Sequence, residues 1–425
     1  MSSASGPSIA TSGLVLDVDM NNTQKSWLGA PATNLVVTVP YTADVYTACS
    51  GPVTATTYDA TNQLRTVNRY TINATGGTPR ARIVATGLST GINYSYSCKI
   101  KYNGPTASPT WYIDSSKGNP EGGANNNTFN TNTSNFVSLG NGWYQLTLNF
   151  NYATCSTGGA WANFGLTAPD ATYLNQTFDA YNIQFEQNTY ATPYVAGTRS
   201  TSQAIVDLTN NNAVTAASLT YASDNTFSFN GTADYVYANQ TGGFLNNVTN
   251  NFFADVGYAW TVSAWFKFPI APVGTRTGNS AFVILGNGGG IGGGETLTLF
   301  VGSGTDTTYG AYAPYYCAVG IRGTKTILST APVNTNTWNH AVVTWDGTAA
   351  RVYFNGIDRG AASTATGAAI QNGYYFSIGM NANTGVVSTG FLFEGTIGTA
   401  QVYSRALSAN EVAQNFNATR SRYGL

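Results

Sequence analysis

A single histidine, His340, and five glutamates, Glu121, Glu186, Glu295, Glu394 and Glu411, are the residues to weigh first for acid–base or nucleophilic chemistry. His340 lies in Trp338-Asn339-His340-Ala341-Val342-Val343-Thr344-Trp345. That segment reads as a strand, and it places the imidazole in a core or on a strand surface before it suggests a catalytic base. Retaining hydrolysis of a glycosidic bond needs a nucleophile and an acid about 5 Å apart. No two of the glutamates are near neighbours in sequence, so only pairing across the fold could supply such a couple. The run Gly288-Gly289-Gly290-Ile291-Gly292-Gly293-Gly294 lacks the Lys-Ser/Thr ending with which a phosphate loop contacts phosphate and Mg²⁺, and it reads as a surface loop. Cys49, Cys98, Cys155 and Cys317 show no C-x-x-C spacing, which argues against zinc. Buried free thiols are expected, with a disulfide among the first three left open.

Binding chemistry is better represented than catalysis. Tyr309, Tyr312, Tyr315 and Tyr316 in one Gly/Ala/Pro loop, and the pair Tyr374-Tyr375, have rings able to stack on pyranose faces. Most aromatics of a β-sandwich are core, and exposed tyrosines serve protein–protein interfaces equally well.

The elements that must position these residues are strands. Ile92, Tyr94, Tyr96, Cys98 and Ile100 alternate with Asn93, Ser95, Ser97, Lys99 and Lys101, the pattern of a half-buried strand. Tyr144, Leu146, Leu148 and Phe150 alternate with Trp143, Gln145, Thr147 and Asn149, and Val262, Ala264, Phe266 and Phe268 with Thr261, Ser263, Trp265 and Lys267. Further strands are expected over 34–39, 81–86, 111–114 and 181–185. Asn355-Gly356 predicts a type I′ turn between Arg351–Phe354 and Ile357–Arg359. Ser408 and Glu411 form a capping box, and Leu407 and Val412 occupy staple positions, so a short helix is expected over 409–417.

The chain has 425 residues, enough for two or three domains. Only 9% are charged while 42% are hydrophobic, with 47 Gly and 27 Tyr, which excludes disorder and indicates a β-rich protein with a neutral polar surface. A net charge of −1 leaves no electrostatic footprint for nucleic acid or an anionic membrane. No apolar run approaches the roughly 20 residues of a membrane span. Met1–Pro7 has neither a basic nor an apolar stretch, so no secretory signal is expected there.

Three segments carry a family resemblance. The first comprises Thr337–Gly347, Val352–Gly356, Phe376–Gly379, Phe393–Ile397 and Val402–Ser408, which together resemble the C-terminal half of a laminin-G-like (concanavalin A-like) jelly roll. The second, Phe185-Glu186-Gln187-Asn188-Thr189-Tyr190-Ala191-Thr192-Pro193-Tyr194-Val195, resembles the end of a carbohydrate-binding-module-like domain of tailed-phage structural proteins. The third, Asn415–Gly424, resembles the ending of such proteins. The resemblance implies an all-β chain of two antiparallel β-sandwiches, the second closed by the short helix. Residues 1–30 would be an arm carrying the first strand of the jelly roll (Ser12–Asp19), 31–197 an inserted carbohydrate-binding-module-like sandwich, and 198–425 the rest of the jelly roll. Related jelly rolls often hold one Ca²⁺, for which Asp234 and Glu394 are the positions to try. Glucanases of this fold carry two glutamates and an aspartate closely spaced on one strand, a motif missing here. The function implied is a non-enzymatic virion surface protein, as head decoration, head fibre or tail fibre, that attaches to host or surface glycans. It would be made in the host cytoplasm, released by lysis, and partnered by other virion proteins and copies of itself. The alternatives are a bacterial extracellular carbohydrate-binding lectin-like protein and a glycan hydrolase.

Overall fold

The computed structural model describes residues 8–21, 26–36, 49–75, 80–85, 89, 91–105, 111–116, 129–130, 136–151, 160–166, 168, 170–217, 219–221, 227–238, 259–269, 281–288, 295–302, 316–321, 324–361, 376–380, 382–383, 386–387 and 392–425. The chain divides into two compact units, one formed by Met1–Ala30 with Ser200–Leu425 and the other by Pro31–Arg199.

The first unit is a jelly roll of two antiparallel sheets. Its eight-stranded sheet runs Thr220–Tyr221, Phe227–Asn230, Glu394–Tyr403, Trp260–Lys267, Trp338–Trp345, Ala350–Phe354 and Ile357–Ala361, with Leu14–Asp19 also pairing Glu394–Tyr403. The seven-stranded sheet runs Val214–Ala217, Tyr235–Ala238, Phe376–Ile378, Ala281–Gly288, Glu295–Gly302, Tyr316–Ile321 and Thr324–Pro332. Alternation sends Val262, Ala264 and Phe266 inward, where they meet Leu16, Val18, Leu297, Leu299, Val343 and Val402 in one core. Asn355 and Gly356 take φ of 51° and 76°, the positive values that the type I′ hairpin needs.

The outward face of the eight-stranded sheet is covered as well. Helix Ala409–Thr419 starts at Ser408, whose Oγ accepts from Glu411 N while Glu411 caps in return. Leu407 and Val412 pack with Val342, Tyr353 and Tyr403, so the staple doubles as the contact to the sheet. Among the described residues no helix is long and apolar enough to cross a membrane.

The second unit is also a sandwich. Its six-stranded sheet runs Cys49–Tyr58, Leu64–Ile72, Thr177–Glu186, Asn93–Tyr102, Trp143–Asn151 and Phe136–Gly140, and a four-stranded sheet runs Arg80–Ala85, Ala160–Leu166, Trp111–Ser116 and Phe129–Asn130. Tyr70, Tyr94, Tyr96, Ile100, Leu146, Phe164, Phe178 and Phe185 fill the space between them. Two period-two expectations need correction. Ser95 and Ser97 are buried although they face away from this core. Trp143, grouped by alternation with the polar face, is fully buried because the turn after Tyr58 folds over that face. Of the expected strand at 34–39, the described part, 34–36, holds no named strand, since Asn34 uses its side-chain amide to bond Ile183 O and Val195 O. Cys98 and Cys317 are buried free thiols, both pushed up to about 12 by burial. The side chains of Cys49 and Cys155 lie outside the described residues.

Candidate functional site

Tyr309, Tyr312, Tyr315, Tyr374 and Tyr375 lie outside the described residues, and Tyr316 is described only as the backbone residue opening a strand, opposite Gly302 and Pro332. Asp234 and Glu394 are brought towards one another by the fold. Strand Phe227–Asn230 ends in a turn in which Asn230 Oδ1 accepts from the N–H groups of Thr232 (2.8 Å) and Ala233 (3.0 Å). Asp234 Oδ2 accepts from Asn230 N at 2.9 Å, and Asn230 pairs across the ladder with Glu394. Both carboxylates therefore adjoin Asn230, with Asp234 buried and Glu394 half-buried. Calcium takes six to eight oxygens. Two carboxylates, one already accepting a backbone N–H, are a small part of such a shell. Among the described residues no group of three or more His, Cys, Asp or Glu could hold a metal.

Among the described residues, a geometry that resembles a nucleophile and its base is Ser263 Oγ, 2.9 Å from His340 Nε2. Both residues are buried: His340 stacks on Trp265 (4.7 Å) and meets Phe416 of the C-terminal helix at a tilt (5.7 Å), and Trp265 stacks on both Phe416 (5.7 Å) and Tyr423 (4.3 Å). Among the described residues His340 Nδ1 meets no hydrogen-bond partner, and so none of them orients the ring as the third member of a triad would. Burial lowers the imidazole to about 3, which keeps it neutral. Trp265 Nε1 donates to Thr419 Oγ1 at 3.0 Å, fixing the same helix to the same stack.

Several of the described carboxylates are engaged in the framework. Glu411 bonds Arg405 through both oxygens and sits at about 2, chiefly because of that guanidinium. Asp17 lies beside Gln401, Asp19, Asp207 and Arg422; burial is the main cause that raises it to about 6, with the neighbouring aspartates adding. Arg422 pairs with Asp19, which ties the C-terminal turn to the first strand. Glu186 is buried and accepts from Gln184 Nε2 (2.7 Å), Thr192 N (2.7 Å) and Thr192 Oγ1 (2.8 Å). Arg199 reaches Thr192 Oγ1 (3.0 Å) and Pro193 O (3.0 Å). The Glu-x₅-Thr-Pro pattern that carries the second resemblance is thus an interior polar clasp. Glu121 and the side chain of Glu295 lie outside the described residues.

One exposed surface escapes the sequence reading. Tyr58 and Leu64, directly opposite in the hairpin of Cys49–Tyr58 and Leu64–Ile72, are 62% and 63% exposed. Behind them Ala55, Ala60 and Leu139 pack on Val67, Trp143 and Tyr181. Trp143 meets Tyr181 edge-on at 4.9 Å and donates from Nε1 to Tyr58 O at 3.0 Å. The support behind Tyr58 is therefore remote in sequence, and no local pattern marks it.

These units are antiparallel β-sandwiches of the jelly-roll class. Residues 230–413, all within the first unit, match the family model described as the Concanavalin A-like lectin/glucanases superfamily. No curated protein matches the chain. Among solved structures, the chain is similar to the Trypanosoma rangeli sialidase, at 16% identity over 51% of this chain and 31% of that one, with a TM-score of 0.36. It is similar to the binding domain of Paraclostridial Mosquitocidal Protein 1 at 16% identity, covering 50% and 49%, with a TM-score of 0.35. For the heptameric SAP-like pentraxin from Limulus polyphemus the identity is 15%, the coverage 36% and 68%, and the TM-score 0.28. The chain spans about a third of the sialidase and half of the mosquitocidal binding domain.

Proposed function

We propose that this chain is a non-enzymatic attachment protein that displays two lectin-like sandwiches on a virion surface and binds glycans there. The observation that supports this most is the match of residues 230–413 to the Concanavalin A-like lectin/glucanases superfamily. Beside it stands the use of His340, Ser263, Glu186 and Glu411 as framework groups. The virion part rests on the resemblance of Phe185–Val195 and Asn415–Gly424 to segments of tailed-phage structural proteins. On this reading the partners are other virion proteins, further copies of the chain and host-surface glycans. The chain works without nucleic acid and without a membrane. A calcium ion, where one is taken, belongs beside Asn230, with Asp234 and Glu394 among its ligands.

The deciding experiment for glycan binding is a printed glycan array probed with the full chain. Saturable binding without release of reducing sugar supports the reading. Turnover of a bound glycan replaces it with a hydrolase, and a blank array removes it. Immunogold labelling of purified phage particles separates the virion protein from an extracellular bacterial lectin. A thermal-shift titration with CaCl₂ against EDTA tests the metal, and Asp234→Asn removes any rise that calcium produces.

A further inference from the structure

The hairpin of the second unit presents a built surface that nothing above assigns. Its register pairs Thr54 with Asn68, Thr56 with Thr66 and Tyr58 with Leu64, so these six side chains share one face. Thr54, Thr56, Tyr58, Leu64 and Thr66 are exposed and Asn68 is half-buried. Alternate residues on a strand are about 7 Å apart, so Thr54, Thr56 and Tyr58 span about 13 Å, room for more than one sugar ring. The opposite face of the same hairpin is anchored by Ala55 and Val67 against Trp143 and Tyr181.

The tip is equally fixed. Asp59 Oδ1 accepts from Thr61 N (2.8 Å) and Gln63 N (3.0 Å), Asp59 Oδ2 accepts from Arg65 Nε (2.8 Å), and Asn141 Nδ2 donates to Ala60 O (3.2 Å). A ring exposed on so fixed a support loses little freedom when a ligand covers it. The face carries no formal charge. Arg65 lies opposite Thr57 on the reverse face and is paired with Asp59. A charged ligand would meet no counter-charge here. A neutral glycan would meet an aromatic ring, three hydroxyl groups and an amide.

We infer that the Thr54/Thr56/Tyr58–Leu64/Thr66/Asn68 face is a contact site for a neutral polysaccharide, with Tyr58 as its stacking ring and the threonines and Asn68 bonding sugar hydroxyls. This rests on the glycan-binding reading and places one contact of that reading in the second unit.

The test uses the full chain and the probes cellohexaose, maltohexaose, laminarihexaose and chitohexaose, titrated calorimetrically. Tyr58→Ala weakens binding of the tightest probe about tenfold, whereas Tyr58→Phe, which keeps the ring, stays within about twofold. Neither variant shifts the melting temperature, because the ring is exposed. Equal binding by wild type and Tyr58→Ala overturns this site and leaves the glycan reading standing. Binding of none of the probes by the wild type overturns this site, and a blank array beside it removes the glycan reading as well. Loss of self-association by Tyr58→Ala in sedimentation, with glycan binding unchanged, overturns it in favour of a second copy of the chain on this face.

Discussion

His340 and Asp17 are moved in opposite directions by the same cause, burial. His340 falls to about 3 from an unfolded value near 6.5, so the unfolded chain binds the proton more readily. Its contribution to stability is complete above pH 6.5 and is lost as pH falls towards 3. Asp17 rises to about 6 from 3.8, so here the folded chain holds the proton more readily. Its contribution is complete below pH 3.8 and is lost as pH climbs to 6. Between pH 4 and 6 the two slopes, each at most about 1.4 kcal/mol per pH unit, oppose one another. His340→Gln should therefore leave a stability that falls with rising pH in this window relative to wild type, and Asp17→Asn one that rises. Urea unfolding at pH 4, 5 and 6 measures both. Parallel curves for the two variants and the wild type would show that neither group titrates with folding. The buried clasp in the second unit gives a sharper residue-scale effect. Thr192→Val removes a donor to Glu186 and an acceptor for Arg199 while keeping the shape of the side chain. With a buried carboxylate and guanidinium left short of partners, a loss of roughly 2–4 kcal/mol is expected. A change below about 0.5 kcal/mol in urea unfolding would mean that the clasp does not stabilise the unit.

The C-terminal helix shows how much of an element is legible in a sequence. Its start is written locally, in Ser408, Glu411 and the Leu407/Val412 pair, and the structure places each as read. Its end differs: the helix continues to Thr419 because Trp265, His340 and Tyr423 give its last turn an aromatic bed, a tertiary cause that no local pattern carries. Ser408→Ala should cost about 1 kcal/mol, read as a lowered melting temperature, since it removes the acceptor for Glu411 N. An unchanged melting temperature would assign the helix start to Arg405 and Glu411 alone. Strands behave similarly. Alternation states which side chains share a face but not what covers that face, and so Trp143 is grouped with polar residues yet buried under the turn at Asp59. The site was less legible than the fold for the same reason. Tyr58 is held at its carbonyl by Trp143, 85 residues away, and the hydrogen bond that Asp234 accepts from Asn230 N fits either of its two readings, metal ligand or turn cap.

At the scale of the whole molecule, the connection between units is a question of chain ends. Within the first unit, Leu28 N donates to Ala204 O (2.8 Å), Ser26 Oγ donates to Val206 O (2.6 Å) and Trp27 bridges to Ile205. The points where the chain leaves and re-enters this unit are therefore held together by its own hydrogen bonds. Within the second unit, Ala32 pairs with Arg199 and Thr33 with Thr198, so its two ends also lie side by side. Paired strands stand about 5 Å apart, a gap that a few glycines can span. Each unit also has its own core, with Trp27, Val262 and Phe266 filling one and Tyr70, Tyr96 and Phe164 the other. A core of its own and adjacent ends are the two physical requirements for an insertion to be removable. Replacing residues 31–199 by Gly-Ser-Gly should leave the jelly roll folded, and residues 31–199 alone should form a folded β-sandwich. Two separate cooperative transitions, one in each fragment, check this by calorimetry, with near-ultraviolet dichroism reporting the buried tryptophans. Failure of either fragment to show a cooperative transition would mean that its stability depends on the other, and the chain would then be a single folding unit in spite of its two cores.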